Sequence, residues 1–235
     1  MATIGVYDSG IGGLTTAKVI LNKFAGNDLY YLSDNAHHPF GNTDEEKLKE
    51  IVRAGIRRVR AHSDVVVLAC NTASSITDDS DVIRLLPPLK ENEEDANDTL
   101  VMATARTLNK LDCSKTFKVA NTPELATLIE IQASLSGTRH SLSMDELIPY
   151  LTERLHQFIG VEQVILGCSH YLFCKRQICE ILGNVMFADG NENLCKELSK
   201  HVTHQPQYAA KITFDFTSQR EDKKYKEILH LLLNE

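Results

Sequence analysis

The segment from Ser63 to Ser75, SDVVVLACNTASS, restricts the fold more than any other part of the chain. Val65-Val66-Val67-Leu68-Ala69 is an apolar, β-branched run without polar alternation. Such a run suits a strand buried on both faces, as in a parallel sheet. It stops at Cys70-Asn71-Thr72, and the small residues after it open a helix. Open α/β sheets bind ligands beyond the carboxyl ends of their strands. A thiol, an amide and a hydroxyl therefore stand together where such a fold places its site.

The arrangement returns later in the chain. Gln163-Val164-Ile165-Leu166 is a short apolar strand that runs into Gly167-Cys168-Ser169-His170-Tyr171. Two thiols, each at a strand end, can face one another across a single cleft.

The remaining elements support an α/β reading. Thr3 to Tyr7 is a first strand, ending in Asp8-Ser9-Gly10-Ile11-Gly12-Gly13, with a helix predicted from Leu14 to Phe24. The turn is no phosphate loop, since Gly-x-x-x-x-Gly-Lys-Ser/Thr is absent, and no dinucleotide fingerprint, since Thr15 stands at the third glycine position. Leu29 to Leu32 is a second strand, followed by a polar loop from Ser33 to Gly41 in which His37-His38 reads as a solvated pair. A charged amphipathic helix from Glu45 to Ala61 precedes the Cys70 strand. This β-α-β-α-β order predicts a parallel, doubly wound sheet.

Pro87-Pro88 and the acidic run that continues to Asp98 read as an exposed connection. A second series follows, with strands at Leu100 to Ala103 and Phe117 to Ala120 and a helix from Pro123 that carries Glu124 and Glu130. A helix from Met144 to Phe158, the Cys168 strand, a helix from Phe173 to Leu182 and a strand from Val185 to Ala188 come next. Two helices, Glu192 to His201 and Glu221 to Leu233, close the chain around a polar stretch.

Several function classes are excluded. A net charge of −7 without a basic block argues against nucleic-acid binding. The apolar runs fall short of a membrane span, and Met1-Ala2-Thr3 leads into a strand without signal-peptide features, so a cytoplasmic location is expected. Six cysteines at irregular spacing, with no Cys-x-x-Cys, read as free thiols. Cys168, Cys174 and Cys179 with His170 lack the paired short spacings of structural zinc sites, so no metal is expected there.

A buried cysteine is usually a small hydrophobe, and Cys113, Cys174, Cys179 and Cys195 are read so. Cys70 and Cys168 differ in having hydrogen-bonding neighbours and a following helix, which lowers a thiol pKa toward neutrality. A thiolate serves as nucleophile or general base. One thiol with His170 is compatible with a Cys–His hydrolase. Two thiols on opposite faces of a ligand are compatible with inversion of a stereocentre, one taking a proton from carbon while the other donates from the far side.

The chain resembles the glutamate racemases of the cofactor-independent aspartate/glutamate racemase superfamily. The resemblance is carried by Asp8-Ser9-Gly10-Ile11-Gly12-Gly13-Leu14-Thr15, Pro39-Phe40-Gly41, Ala69-Cys70-Asn71-Thr72-Ala73-Ser74 and Leu166-Gly167-Cys168-Ser169-His170-Tyr171, in that order. It covers nearly the whole chain. It implies two similar α/β domains with mostly parallel sheets and the active site between them, the first from residues 1–91 plus 189–235 and the second, shortened, from 92–188. It implies Cys70 and Cys168 as acid/base thiols, with Asp8 assisting Cys70 and His170 and Glu130 assisting Cys168. Asp8, Ser9, Asn71, Thr72, Ser169, His170 and the backbone of Phe40-Gly41 would bind the substrate's charged groups, with Thr104 and Thr107 at the side-chain carboxylate. No pyridoxal phosphate or metal cofactor is implied. Glutamate is the implied small-molecule substrate, supply of D-glutamate for the bacterial cell wall and cell shape the implied role, and a homodimer a common assembly.

The chain departs from the family pattern at Phe40, where tyrosine is usual, at Ser169 for threonine, at Thr122 for a common cysteine, and in the short stretch between Thr77 and Leu100. A racemase of another acidic amino acid such as aspartate and a non-catalytic amino-acid-binding homologue are the alternative readings.

Overall fold

Thr3–Asp8 (β1) is the central strand of a parallel sheet, and its alternating side chains enter two different cores. The computed structural model describes residues 1–89, 98–112, 117–136 and 142–234. Helix α1 (Gly13–Lys23) and strand Asp28–Ser33 (β2) follow β1, then helix α2 (Glu45–Arg60), strand Val65–Leu68 (β3), a short helix α3 (Asn71–Ser74) and strand Val82–Arg84 (β4). Thr99–Ala103 (β5), α4 (Ala105–Lys110), Lys118–Ala120 (β6), α5 (Leu125–Ser136), α6 (Ile148–Leu155), Gln163–Gly167 (β7), α7 (Lys175–Leu182) and Met186–Asp189 (β8) make the second series. Helix α8 (Asn191–Leu198), strand Ile212–Phe216 (β9) and helix α9 (Asp222–Leu233) close the chain.

The first sheet runs β4-β3-β1-β2-β9 and the second β6-β5-β7-β8, and every strand pair in both is parallel. Ile4, Val6, Leu29, Tyr31 and Val67 point to the face covered by Leu14, Ala17 and Ile20 of α1. Tyr7, Tyr30, Leu32, Val66 and Leu68 point to the other face, covered by Leu48, Val52, Ile56 and Val59 of α2. The α1-side core continues without a break into Leu100, Met102, Val164 and Leu166 of the second sheet, so the two sheets share one apolar interior. Helix α2 is well specified locally. Asp44 caps it by accepting the Glu46 and Lys47 N–H groups at 3.1 and 3.2 Å, and Arg57, Arg58 and Arg60 lie in its last turn, where the helix dipole favours cations.

The α/β architecture with two parallel sheets is as expected from the sequence, with corrections. Strands β4 and β9 were not anticipated, because β4 is short and β9 lies in a stretch that reads as polar. The paired register Tyr31↔Phe214 adds β9 to the edge of β2, and its aromatic side chains join Tyr31 and Tyr225 at centroid distances of 5.0 to 5.9 Å. The expected helix from Met144 to Phe158 is three pieces, a 3₁₀ turn Asp145–Leu147, α6 and a 3₁₀ turn His156–Phe158. Pro149 lies in the first turn of α6, where its missing N–H is tolerated. The helix after Cys70 is a single turn, since Ser74 and Ser75 bond the Leu68 and Thr72 carbonyls at 2.9 and 2.8 Å and compete with its continuation. The helix expected from Pro123 begins at Leu125, and that from Phe173 begins as a 3₁₀ turn, Ser169–Cys174. The acidic connection at 90–97, with the boundary expected at 91/92, and Cys113 lie outside the described residues.

Gly55 makes the packing of α2 testable. A Cβ there would stand 2.2 Å from Cζ of Tyr7, whose hydroxyl is bonded to Asp34 at 2.8 Å. Alanine gains about 1 kcal/mol of helix propensity but overpacks the core at a cost of about 1–3 kcal/mol. Gly55→Ala is expected to destabilise the protein in urea unfolding; a higher unfolding midpoint would contradict the close packing.

Candidate active site

The carboxyl ends of β1, β3, β5 and β7 meet at one cleft. Asp8 ends β1 and is buried. One of its oxygens accepts the Gly10 N–H at 2.9 Å, and the other accepts the Ser169 hydroxyl at 3.0 Å, a bond that joins the two sheets. Burial raises the Asp8 carboxyl above the ordinary range, against the lowering effect of the His170 charge and of its own hydrogen bonds.

Cys70 follows β3, and its thiol lies 3.9 Å from the Ser9 hydroxyl. Burial, then the charge of Asp8, pushes this thiol well up from its ordinary value. That reverses the lowering expected from the sequence. The backbone N–H of Ala73 does favour the thiolate, but α3 is one turn long, and its N–H groups do not outweigh desolvation beside a carboxyl.

Cys168 follows β7 and is buried against His170. His170 Nε2 lies 3.0 Å from Oε1 of Glu130, which projects from α5. The same oxygen accepts the Ile11 N–H at 2.6 Å, and Lys224 of α9 reaches Oε2 at 3.3 Å. Burial alone would raise Glu130 and lower His170. Pairing prevails in both: the bond and charge of His170, with His38 and Lys224 aiding, lower Glu130, and the Cys168 bond, followed by the bond and charge of Glu130, raises His170. Glu130 is held at about 2 and His170 is pushed up to about 10. Gly10 permits this contact, since a Cβ there would stand 2.0 Å from Glu130 Oε1.

On the far side of the cleft the hydroxyls of Thr72, Thr104 and Thr107 form a chain with spacings of 2.9 and 3.0 Å. Asn71 donates its amide to the Leu85 carbonyl at 3.1 Å, while its carbonyl oxygen is buried with no hydrogen-bond partner among the described residues. Gly41 faces Thr104. The Phe40 ring is turned into the α2-side core, edge-on to Tyr7 with centroids 6.3 Å apart. The residues expected from the sequence thus gather around the cleft, with the Phe40 ring turned away into the core.

His38 corrects the reading of His37-His38 as a solvated pair. His37 is half-exposed and bonds Asp34 at 2.7 Å. His38 instead lies against His170, with ring centroids 5.0 Å apart. Burial and the charge of His170 lower it to about 4. Sequence reading missed Lys224 as well, because nothing local in α9 marks it. A cavity of about 290 Å³ lined by Ser9, His38, Glu130 and Glu221 opens beside this cluster. A larger one of about 810 Å³ is lined by Thr99, Phe117, Gln163 and Phe187, and neither cavity is lined by a thiol.

No protein-family model matches the chain. It is 27% identical to the glutamate racemase of Halothermothrix orenii over 256 residues, covering 97% of this chain and 98% of the relative. It is 30% identical to the glutamate racemase of Bifidobacterium adolescentis over 216 residues, covering 84% and 83%. The chain belongs to the glutamate racemase family. Its fold matches the crystal structure of a glutamate racemase isoform from Bacillus anthracis with a TM-score of 0.76 at 24% identity, over 100% of this chain and 94% of the other. Membership in the glutamate racemase family agrees with the resemblance read from the four motifs.

The buried pair sets a pH signature. Glu130 lies below its ordinary 4.5, so its contribution to stability is present above that pH and is lost as pH falls toward 2. His170 lies above its ordinary 6.5, so its contribution is complete below that pH and is lost as pH rises toward 10. The difference in Tm between the wild type and Glu130→Gln is therefore expected to be greatest between pH 4.5 and 6.5 and to shrink on both sides. A difference independent of pH would show that the pair is not ionic.

Proposed function

We infer that the protein interconverts L- and D-glutamate by proton transfer at the α-carbon, without an organic cofactor. The observation that carries this reading is the pair of buried strand-end thiols at one cleft, each with its own acid/base partner: Asp8 beside Cys70, and His170 with Glu130 beside Cys168.

Cys168, beside the His170 cation, takes the α-proton from one face. Cys70, kept as a neutral thiol by burial, donates its proton to the other face. The charge then rests on Cys70, beside Asp8, whose carboxyl burial raises above its ordinary range. The opposite stereoisomer uses the same steps in reverse. The α-proton of an amino acid is a very weak acid, so donors placed in advance around the carboxylate carry much of the stabilisation. Ser9, Asn71, Thr72, Ser169 and the backbone of Phe40-Gly41 hold the ammonium and α-carboxylate. Thr104 and Thr107 hold the side-chain carboxylate. The unpartnered Asn71 carbonyl oxygen is an acceptor suited to the ammonium.

Residues 1–91 plus 189–235 and residues 92–188 act as the two domains. The Ser169–Asp8 and Ile11–Glu130 bonds join across them, and substrate entry requires these to open. The product serves peptidoglycan synthesis in the cytoplasm, and with it cell shape. The enzyme assembles as a homodimer, with neither nucleic acid nor membrane as partner. Among the described residues no helix is long and apolar enough to cross a membrane.

The test is deuterium incorporation at the α-carbon of L-glutamate and of L-aspartate in ²H₂O. Exchange with inversion is expected for glutamate, and a preference for aspartate would replace the substrate reading. Cys70→Ser and Cys168→Ser are each expected to lower kcat by more than about 10³-fold while substrate still binds. Near-wild-type turnover in either variant would overturn the two-thiol mechanism.

A further inference from the structure

We propose that His38, Glu130 and His170 form a binding site for one divalent cation of the zinc class, and that the ion holds the protein inactive. The three residues come from the loop after β2, from α5 and from the turn after β7, and one ligand atom of each lies within 4.8 Å of the others. Among the described residues this is the cluster whose geometry suits a metal ion. It shares only His170 with the Cys168, Cys174 and Cys179 grouping suggested by sequence spacing.

His38 carries the argument. Both its ring nitrogens are buried, and neither has a hydrogen-bond partner among the described residues. A buried polar group left unpaired costs about 1–3 kcal/mol, which a metal ion would offset by accepting the free lone pair. Its low pKa, about 4, keeps the imidazole in the neutral form that ligates. Two imidazoles and one carboxylate with an open fourth position is a zinc-type donor set. Zinc–ligand bonds of about 2.0–2.2 Å set the donor atoms of a tetrahedral site about 3.4 Å apart, so His38 closes by about 1 Å on a Glu130–His170 pair that already stands at 3.0 Å.

The surrounding groups orient the ligands, as outer partners of metal sites do. The Ile11 N–H fixes one Glu130 oxygen at 2.6 Å, and Cys168 engages His170. Binding displaces the proton between Glu130 and His170, and the Lys224 ammonium, 3.3 Å from Oε2, gives way to the ion. His170 is then unable to support Cys168. The inactivation rests on the racemase reading; the binding does not.

The test uses the full-length, reduced protein titrated with ZnCl₂ by calorimetry and with CoCl₂ by absorption spectroscopy. One ion per chain is expected, with cobalt d–d bands and no thiolate-to-cobalt charge-transfer band, unchanged in a Cys70→Ser, Cys168→Ser double variant. His38→Ala and His38→Gln are expected to weaken binding at least 10-fold, the glutamine variant serving if the alanine variant fails to fold. No binding up to millimolar ion, a charge-transfer band lost in the double variant, or wild-type affinity in a folded His38 variant would overturn the site. In racemisation assays the zinc concentration for half-inhibition is expected to rise at least 10-fold in His38→Gln, and an unchanged value would overturn the inactivation. If no racemisation is detected in the metal-free protein, the racemase reading fails while the calorimetric and cobalt results still decide the site.

Discussion

The Glu130 carboxylate is the interaction on which the cleft depends. It joins the glycine turn after β1 through the Ile11 N–H, the turn after β7 through His170, and the C-terminal helix through Lys224. Removing a buried charge from water costs several kcal/mol and is tolerated only when its lone pairs are met. Here every partner comes from a different part of the chain, so the carboxylate is satisfied only in the assembled fold. Its contribution lies in specifying one arrangement of the two sheets more than in net stability. The Ser169–Asp8 bond, buried beside it, makes the same connection on the other thiol's side.

The two sides of the cleft are electrostatically unlike. Near Cys168 a charged pair holds its proton on the imidazole. Near Cys70 burial raises both the Asp8 carboxyl and the thiol, and the charge of Asp8 raises the thiol further. Burial raises the Asp8 carboxyl while the bond and charge of His170 hold Glu130 low, so the two carboxyl groups are shifted in opposite directions, the pattern by which acid and base roles are divided within one site. The family's symmetric motif plan, a cysteine after a strand in each half, conceals this asymmetry.

Phe40 shows how a departure from a family pattern is absorbed. Its ring lies in the α2-side core against Tyr7, and Tyr7 in turn holds Asp34 at the start of the same loop. The loop is therefore positioned by packing and by the Asp34 carboxylate, which also accepts from Thr217 at 2.6 Å. The loop is thus held without a phenolic hydroxyl at residue 40.

The alternation of strands and helices, the parallel sheets, the two cysteines and the polar residues beside them were legible in the chain, because each rests on a local pattern. A β-branched run without alternation means double-sided burial, and a strand end followed by small polar residues marks a ligand position. β9 was not legible, since Ile212-Thr213-Phe214-Asp215-Phe216 gains its stability from a long-range pairing with β2. His38 and Lys224 were not legible for the same reason, as their roles depend on Glu130 and His170 arriving from distant elements. The raised Cys70 thiol follows from burial beside Asp8, which sequence spacing does not reveal. The chain by itself determined which chemical groups stand at the strand ends. Only the tertiary structure decided their charges and partners, because desolvation and pairing exist once distant segments close around one another.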